Sequence, residues 1–163
     1  MSNLALEQAL ARDNIPFARS KVGDRYVMET LQEKQWQLGG ESSGHIIWLH
    51  SQTTGDGVVS ALQVLTLMQR SGKKLRDLLV GMKKCPQVLI NVPMPEKPSA
   101  AKQTQLDEVV AATEKKLGTH GRVLLRASGT EPLMRVMIEG NDAALIQRET
   151  EALAKQVEQI LKL

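Results

Sequence analysis

Aromatic residues are scarce, at 2% of 163 residues. So few rings leave no stacking platform for single-stranded nucleic acid, and no nucleic-acid partner is expected. Cysteine is nearly absent too. Cys85 alone cannot form an internal disulfide, which suits a reducing compartment. Lying just before Pro86 at a predicted strand start, it reads as a small core residue. No apolar run approaches the length of a membrane span, and Met1-Ser2-Asn3-Leu4 carries no basic segment leading into an apolar one. Neither a membrane partner nor export is therefore expected, and the expected location is cytoplasmic. No charge sign dominates: the net charge is +3 and the pI about 9.1, a mild bias toward anions. The lysine pairs Lys73-Lys74, Lys83-Lys84 and Lys115-Lys116 are scattered rather than striped, as solvated faces are. What is present is ordinary globular material. Hydrophobic residues at 42% and charged residues at 24% permit a true core, in one domain or two small ones.

Against that plain background, Arg126-Ala127-Ser128-Gly129-Thr130-Glu131-Pro132 stands out. It lies between Arg122-Val123-Leu124-Leu125 and Leu133-Met134-Arg135-Val136-Met137-Ile138, both aliphatic runs of strand length. Gly129 permits positive φ, which would turn successive N–H groups into one concavity. Ser128 and Thr130 add hydroxyls, and the Arg126 guanidinium presents a fork of donors matched to phosphate, with Arg135 as a second. Such a loop suits a tetrahedral dianion. The same residues also make a plain hairpin turn, with Ser, Gly and Thr bonding their own backbone. Alternation along the second run puts Arg135 on a largely apolar face, so a ligand or a carboxylate partner is expected there.

A second loop, Gly39-Gly40-Glu41-Ser42-Ser43-Gly44-His45, sits between Trp36-Gln37-Leu38 and the strand-prone Ile46-Ile47-Trp48-Leu49. Glu41 can accept from a pair of sugar hydroxyls, while Ser43 and His45 can bond a third group or a phosphate edge. Taken alone it is a weak signal, since Gly-Gly turns are common and a lone histidine is usually structural.

The first loop resembles the C-terminal phosphate-binding loop of the α-D-phosphohexomutases, and the second resembles the sugar-recognition loop of the same family. Lys21-Val22-Gly23-Asp24-Arg25-Tyr26-Val27 and Thr53-Thr54-Gly55-Asp56-Gly57 are similar to stretches of the bacterial branch that acts on glucosamine phosphates. The resemblance runs over nearly the whole chain, weakest between Pro93 and Thr119. It implies a C-terminal piece of an isomerase that interconverts glucosamine 6-phosphate and glucosamine 1-phosphate for cell-wall precursor synthesis. It further implies Glu41, Ser43 and His45 as substrate-binding residues, and Arg126, Ser128, Gly129, Thr130 and Arg135 as phosphate-binding residues. The family's chemistry needs a phosphoserine and a Mg²⁺ held by an Asp-rich loop, both belonging to the full-length parent. Neither is present here: Val22-Gly23-Asp24-Arg25 and Gly55-Asp56-Gly57 each offer one carboxylate, too little for Mg²⁺. Ser43 with His45 is a poor nucleophile pair, so no catalytic residue, metal ligand or cofactor is assigned to this chain. Asp24 and Arg25 are candidates for sugar choice, with a structural turn the equal alternative.

The pattern of elements predicts two domains, 1–83 and 84–163. The first is a partial α/β sugar-binding domain lacking its N-terminal strand. It should hold a helix from Leu4 capped by Ser2 or Asn3, a strand over Ile15-Ala18, and a helix from Asp24. A strand pair over Trp36-Leu38 and Ile46-Leu49 follows, then a mostly buried helix from Val58 to Met68 capped by Thr54 or Asp56, and a short helix over 75–80. Capping is the first reading of Thr53-Gly57, ahead of substrate contact. The second domain reads as α+β, in the order β-α-β-β-α. Val88-Val92 is a strand, Pro93-Ala100 a loop and Gln105-Leu117 a helix stopped by Gly118. The hairpin follows, then a helix capped by Asn141 or Asp142. The first domain is expected to expose apolar surface and to self-associate. Alone, the chain is expected to be inactive; the competing reading is a stand-alone phosphosugar-binding module.

Overall fold

A computed structural model describes residues 2–79 and 81–162. Two compact units divide between Lys83 and Lys84.

In the first unit, α1 (Leu4–Arg12) starts where Asn3 Oδ1 accepts from the Ala5 N–H at 3.1 Å. The strand predicted over Ile15-Ala18 does not form. No ladder partner reaches it among the described residues, and Pro16 has no N–H to offer one. The segment is fastened instead by Arg19, whose Nε donates to Glu7 Oε2 at 3.0 Å and whose Nη1 donates to the Ser2 carbonyl at 2.8 Å. Helix α2 (Asp24–Lys34) has Gly23 as its cap. Strands β1 (Leu38–Gly40) and β2 (Ile46–Trp48) pair antiparallel, with Gly39 opposite Ile47. The first of them runs through the glycines rather than over Trp36-Leu38. A Cβ on Gly39 would lie 2.6 Å from Val27 Cγ1 and 2.9 Å from Leu31 Cδ1, so the bare backbone lets the hairpin press on α2. Val27, Leu31 and Ile47 form the core of this contact, flanked by Met28, Trp36 and Leu49.

Asp56 caps α3 (Gly57–Ser71), its Oδ1 accepting from Val58 and Val59 N–H at 2.8 and 2.9 Å. Burial of this helix was expected and is not found. Val58, Leu62, Leu65 and Leu67 are each more than half exposed, and only Ser60 is buried. A two-stranded ladder is too small to cover a helix of this length. Helix α4 spans Leu75–Leu78; of the helix predicted over 75–80, Val80 lies outside the described residues.

The second unit follows the predicted order: β3 (Gln87–Pro93), α5 (Ala100–Leu117), β4 (Gly121–Ala127), β5 (Leu133–Gly140) and α6 (Ala143–Lys162). A 3₁₀ turn at Gly118–His120 precedes β4. Helix α5 begins at Ala100, not at Gln105, because Ser99 Oγ accepts from the Lys102 N–H at 3.3 Å and starts the helix at once. Asp142 caps α6, its Oδ1 accepting from Ala144 and Leu145 N–H at 2.9 and 3.0 Å. The sheet is antiparallel in the order β3-β5-β4. Both helices pack on one of its faces, where Val92, Leu106, Val123, Met134, Val136, Ile138, Ile146, Leu153 and Val157 make the core. Alternation along the strands decides what the other face carries. Val123 opposite Ile138 and Leu125 opposite Val136 point into the core; Arg122 opposite Glu139 and Arg126 opposite Arg135 point away from it. Glu139, fully buried, accepts from Arg122 Nε at 2.7 Å.

Candidate functional sites

The first site is built from loops that the sequence separates. The hairpin loop Glu41–His45 closes on itself, with the Glu41 N–H donating to the His45 carbonyl (2.9 Å) and the Gly44 N–H to the Glu41 carbonyl (3.1 Å). Gly44 at φ +93° makes that turn. Glu41 Oε1 then accepts from the Gly23 N–H at 3.1 Å, tying the loop to the start of α2. His45 Nδ1 stands 3.8 Å from Glu41 Oε2 and 3.9 Å from Asp24 Oδ2. Both distances exceed a hydrogen bond, so neither carboxylate fixes the ring by direct bonding. The fixing is steric. A Cβ on Gly55 would fall 1.6 Å from His45 Nε2 and 1.8 Å from Cδ2; the imidazole therefore lies flush against a bare backbone. Glu41 and His45 come together as the sequence suggested, and Asp24 joins them. Ser43 stays exposed at the loop tip. Sequence reasoning assigned Gly55 no role in the site, though the glycine pair flanking Asp56 was visible. Asp56 serves as the helix cap, the reading favoured from sequence.

The second site is the β4–β5 turn. Arg126, the last polar side chain of β4, faces Arg135 directly across the ladder. Like charges opposed on neighbouring strands repel, so the pair is destabilising unless an anion lies between or near the two guanidinium groups. Glu131 meets part of that need: Arg135 Nη2 donates to its Oε2 at 3.1 Å. Arg135 Nε is buried and makes no hydrogen bond. Arg126 has no hydrogen-bond or ion-pair partner among the described residues. The turn is held by Ser128 N–H to the Leu133 carbonyl (2.9 Å), Leu133 N–H to the Glu131 carbonyl (2.8 Å) and Met94 N–H to the Pro132 carbonyl (2.8 Å).

That bonding corrects one expectation. Gly129 does not take up positive φ, and the Ser128 N–H is spent inside the turn, so no run of converging amides forms. Thr130 N–H reaches only Ser128 Oγ, at 3.5 Å, while the Gly129 N–H makes none of these bonds. A Cβ on Gly129 would meet nothing within 4 Å beyond its two chain neighbours, so the turn is open there. The donors here are guanidinium and hydroxyl groups more than backbone. Glu131, inside the quoted motif, was given no role from sequence; its spacing to Arg135 was the available signal.

Among the described residues no three His, Cys, Asp or Glu side chains converge as a cation would require, and no helix is long and apolar enough to cross a membrane.

Residues 1–85 match the family described as phosphoglucomutase/phosphomannomutase, alpha/beta/alpha domain III. Residues 89–156 match phosphoglucomutase/phosphomannomutase, C-terminal domain. The phosphoglucosamine mutase of Coxiella burnetii (strain Dugway 5J108-111) is 52% identical over 159 residues, 98% of this chain and 36% of the relative. That of Cellvibrio japonicus is 51% identical over 161 residues, again covering 36% of the relative. The chain thus spans about a third of the length of these curated relatives. In fold it is similar to N-acetylphosphoglucosamine mutase of Aspergillus fumigatus, with a TM-score of 0.81 at 17% identity, over 98% of this chain and 37% of that one. A second structure of that enzyme, in complex with GlcNAc-6P and magnesium, gives 0.77 at 16% identity, over 98% of this chain and 38% of that one.

Proposed function

The chain belongs to the phosphoglucomutase/phosphomannomutase family, and from that premise we propose that it is the C-terminal, substrate-recognising part of a phosphoglucosamine mutase. The parent would interconvert glucosamine 6-phosphate and glucosamine 1-phosphate, in the cytoplasm, as a step toward cell-wall precursors. Phosphoryl transfer belongs to a phosphoserine and a Mg²⁺ carried elsewhere in that parent; no step is assigned to either through the residues of this chain.

The observation that carries the reading is the opposed pair Arg126 and Arg135 on neighbouring strands, at the foot of a turn that carries the Ser128 and Thr130 hydroxyls. A phosphate dianion relieves their repulsion and takes charge-assisted bonds from both. Ser128 and Thr130 would complete the grip on whichever phosphate is not reacting. Holding that end fixes the sugar so that the other presents to the transfer machinery, which lowers the barrier by orientation rather than by chemistry. In the first unit, Glu41 would accept from sugar hydroxyls and His45 would bond a further oxygen, with Ser43 added from the loop tip. Asp24, 3.9 Å from His45 Nδ1, would sense the group that distinguishes an amino sugar. The reading calls for neither nucleic acid nor membrane. The exposed apolar residues of α3 would let the isolated chain self-associate.

A chimera tests this. The chain replaces the matching stretch of the Coxiella burnetii relative, and turnover of glucosamine 6-phosphate is measured. Activity within about tenfold of the parent is expected, and its loss on Arg126→Ala. A folded chimera that binds substrate but never turns it over would overturn the assignment to a mutase. Micromolar binding of glucosamine 6-phosphate by the isolated chain would favour a stand-alone sensor instead.

A further inference from the structure

Resting on that phosphate-binding reading, we infer that Glu131 is a built-in competitor for the anion: a tethered carboxylate that occupies Arg135 and must leave when phosphate arrives. Its side chain reaches Arg135 Nη2 at 3.1 Å across the turn and pairs with no other cation among the described residues. The fit is incomplete. Only one edge of the guanidinium fork is used, and the neighbouring Nε stays buried without a partner. Arg126, opposite on the ladder, receives nothing from Glu131. A single carboxylate thus takes one of the ten N–H donors of the two arginines. A phosphate dianion has three free oxygens and can take the Nε and Nη2 edge of Arg135 together while reaching Arg126.

The balance of strengths permits exchange. Glu131 is 55% exposed and Arg135 31%, so water and salt weaken their contact, and such pairs contribute little. A bidentate, doubly charged ligand is the stronger partner on both counts. The turn itself need not move. Pro132 is pinned through its carbonyl to the Met94 N–H, and the Glu131 carbonyl holds the Leu133 N–H, so displacement requires only side-chain rotation. Before ligand arrives, the carboxylate keeps Arg135 from folding away from its like-charged neighbour. The cost is a toll on affinity, which aids release of a product that must leave after each turnover.

The test is an NMR titration of the full 163-residue chain with glucosamine 6-phosphate, following amides 126–135. Four variants are compared with the wild type: Glu131→Gln, Arg135→Ala, the two combined, and Arg126→Ala. Glu131→Gln should tighten binding about twofold to fivefold, the factor such an exposed pair can supply. In the Arg135→Ala background the same change should give no gain, because the carboxylate then has nothing to occupy. A gain of equal size in both backgrounds would mean simple charge repulsion, and no gain in either would mean a purely structural contact; each overturns the competitor. Those results leave the phosphate site standing as long as Arg126→Ala weakens binding. If Arg126→Ala binds as the wild type does, or neither the wild type nor any variant binds, the phosphate site fails and the competitor fails with it.

Discussion

At the scale of single residues, the proposed phosphate binding and stability pull in opposite directions at Arg126. The side chain has no partner among the described residues and faces another arginine. Truncating it removes repulsion, so Arg126→Ala should leave the fold as stable or raise it by up to about 0.5 kcal/mol. The same change should weaken glucosamine 6-phosphate binding by roughly 1.5–3 kcal/mol, the worth of a charge-assisted contact. Urea denaturation and a binding titration check the two halves, and lost stability in the variant would assign Arg126 a structural role. Gly55 makes a different case. Because a Cβ there would overlap the His45 ring, Gly55→Ala should expel the imidazole while the backbone survives. Sugar binding should then fall as far as in His45→Ala, and the double variant should be no worse than either single one. Additive losses would show that Gly55 acts on something other than the ring.

At the scale of elements, helix α6 was legible because one face must be apolar for it to lie on a sheet. Ile146, Leu153 and Val157 recur at helical spacing and are all essentially buried. Leu153→Ala should cost about 2–5 kcal/mol, seen as lost amide protection across 84–162. A loss below about 1 kcal/mol would mean the face repacks. Elements whose form depends on distant partners were less legible. Ile15-Ala18 has strand composition, yet a strand needs a neighbour, and Arg19 ties the segment to α1 instead. The apolar pattern of α3 says that it wants cover, not that cover exists; Val58 is 71% exposed. The β1 strand was displaced because Gly39 has a packing role that propensity does not register. The two candidate loops were visible as motifs, but most of their supports were not. Gly55, Asp24 and Glu131 act through proximity created by folding, and Gly129 keeps ordinary φ because the turn closes through the Ser128 and Leu133 amides.

At the scale of the whole molecule, the two units differ in how much core each has. Among the described residues, the first buries Val27, Leu31 and Ile47 with a few flanking side chains, and Leu4 and Ala5 besides. The second buries both helices of a β-α-β-β-α fold against a three-stranded sheet. Apolar area removed from water is the main favourable term in folding, so the first unit should open at far lower free energy. Native-state hydrogen exchange should show slow amides in β3, β4, β5 and α6, and amides of α2 and α3 exchanging well before them. The exposed residues Val58, Leu62 and Leu65 share one side of α3, and residues 57–69 carry no charge to oppose contact between copies. Sedimentation should therefore show a mass that rises with concentration, and Leu62→Glu with Leu65→Glu should return it to a single 18.0 kDa species. A monomer at all concentrations, with α3 amides as slow as those of β5, would mean that the first unit is complete as it stands and that its apolar helix needs no partner.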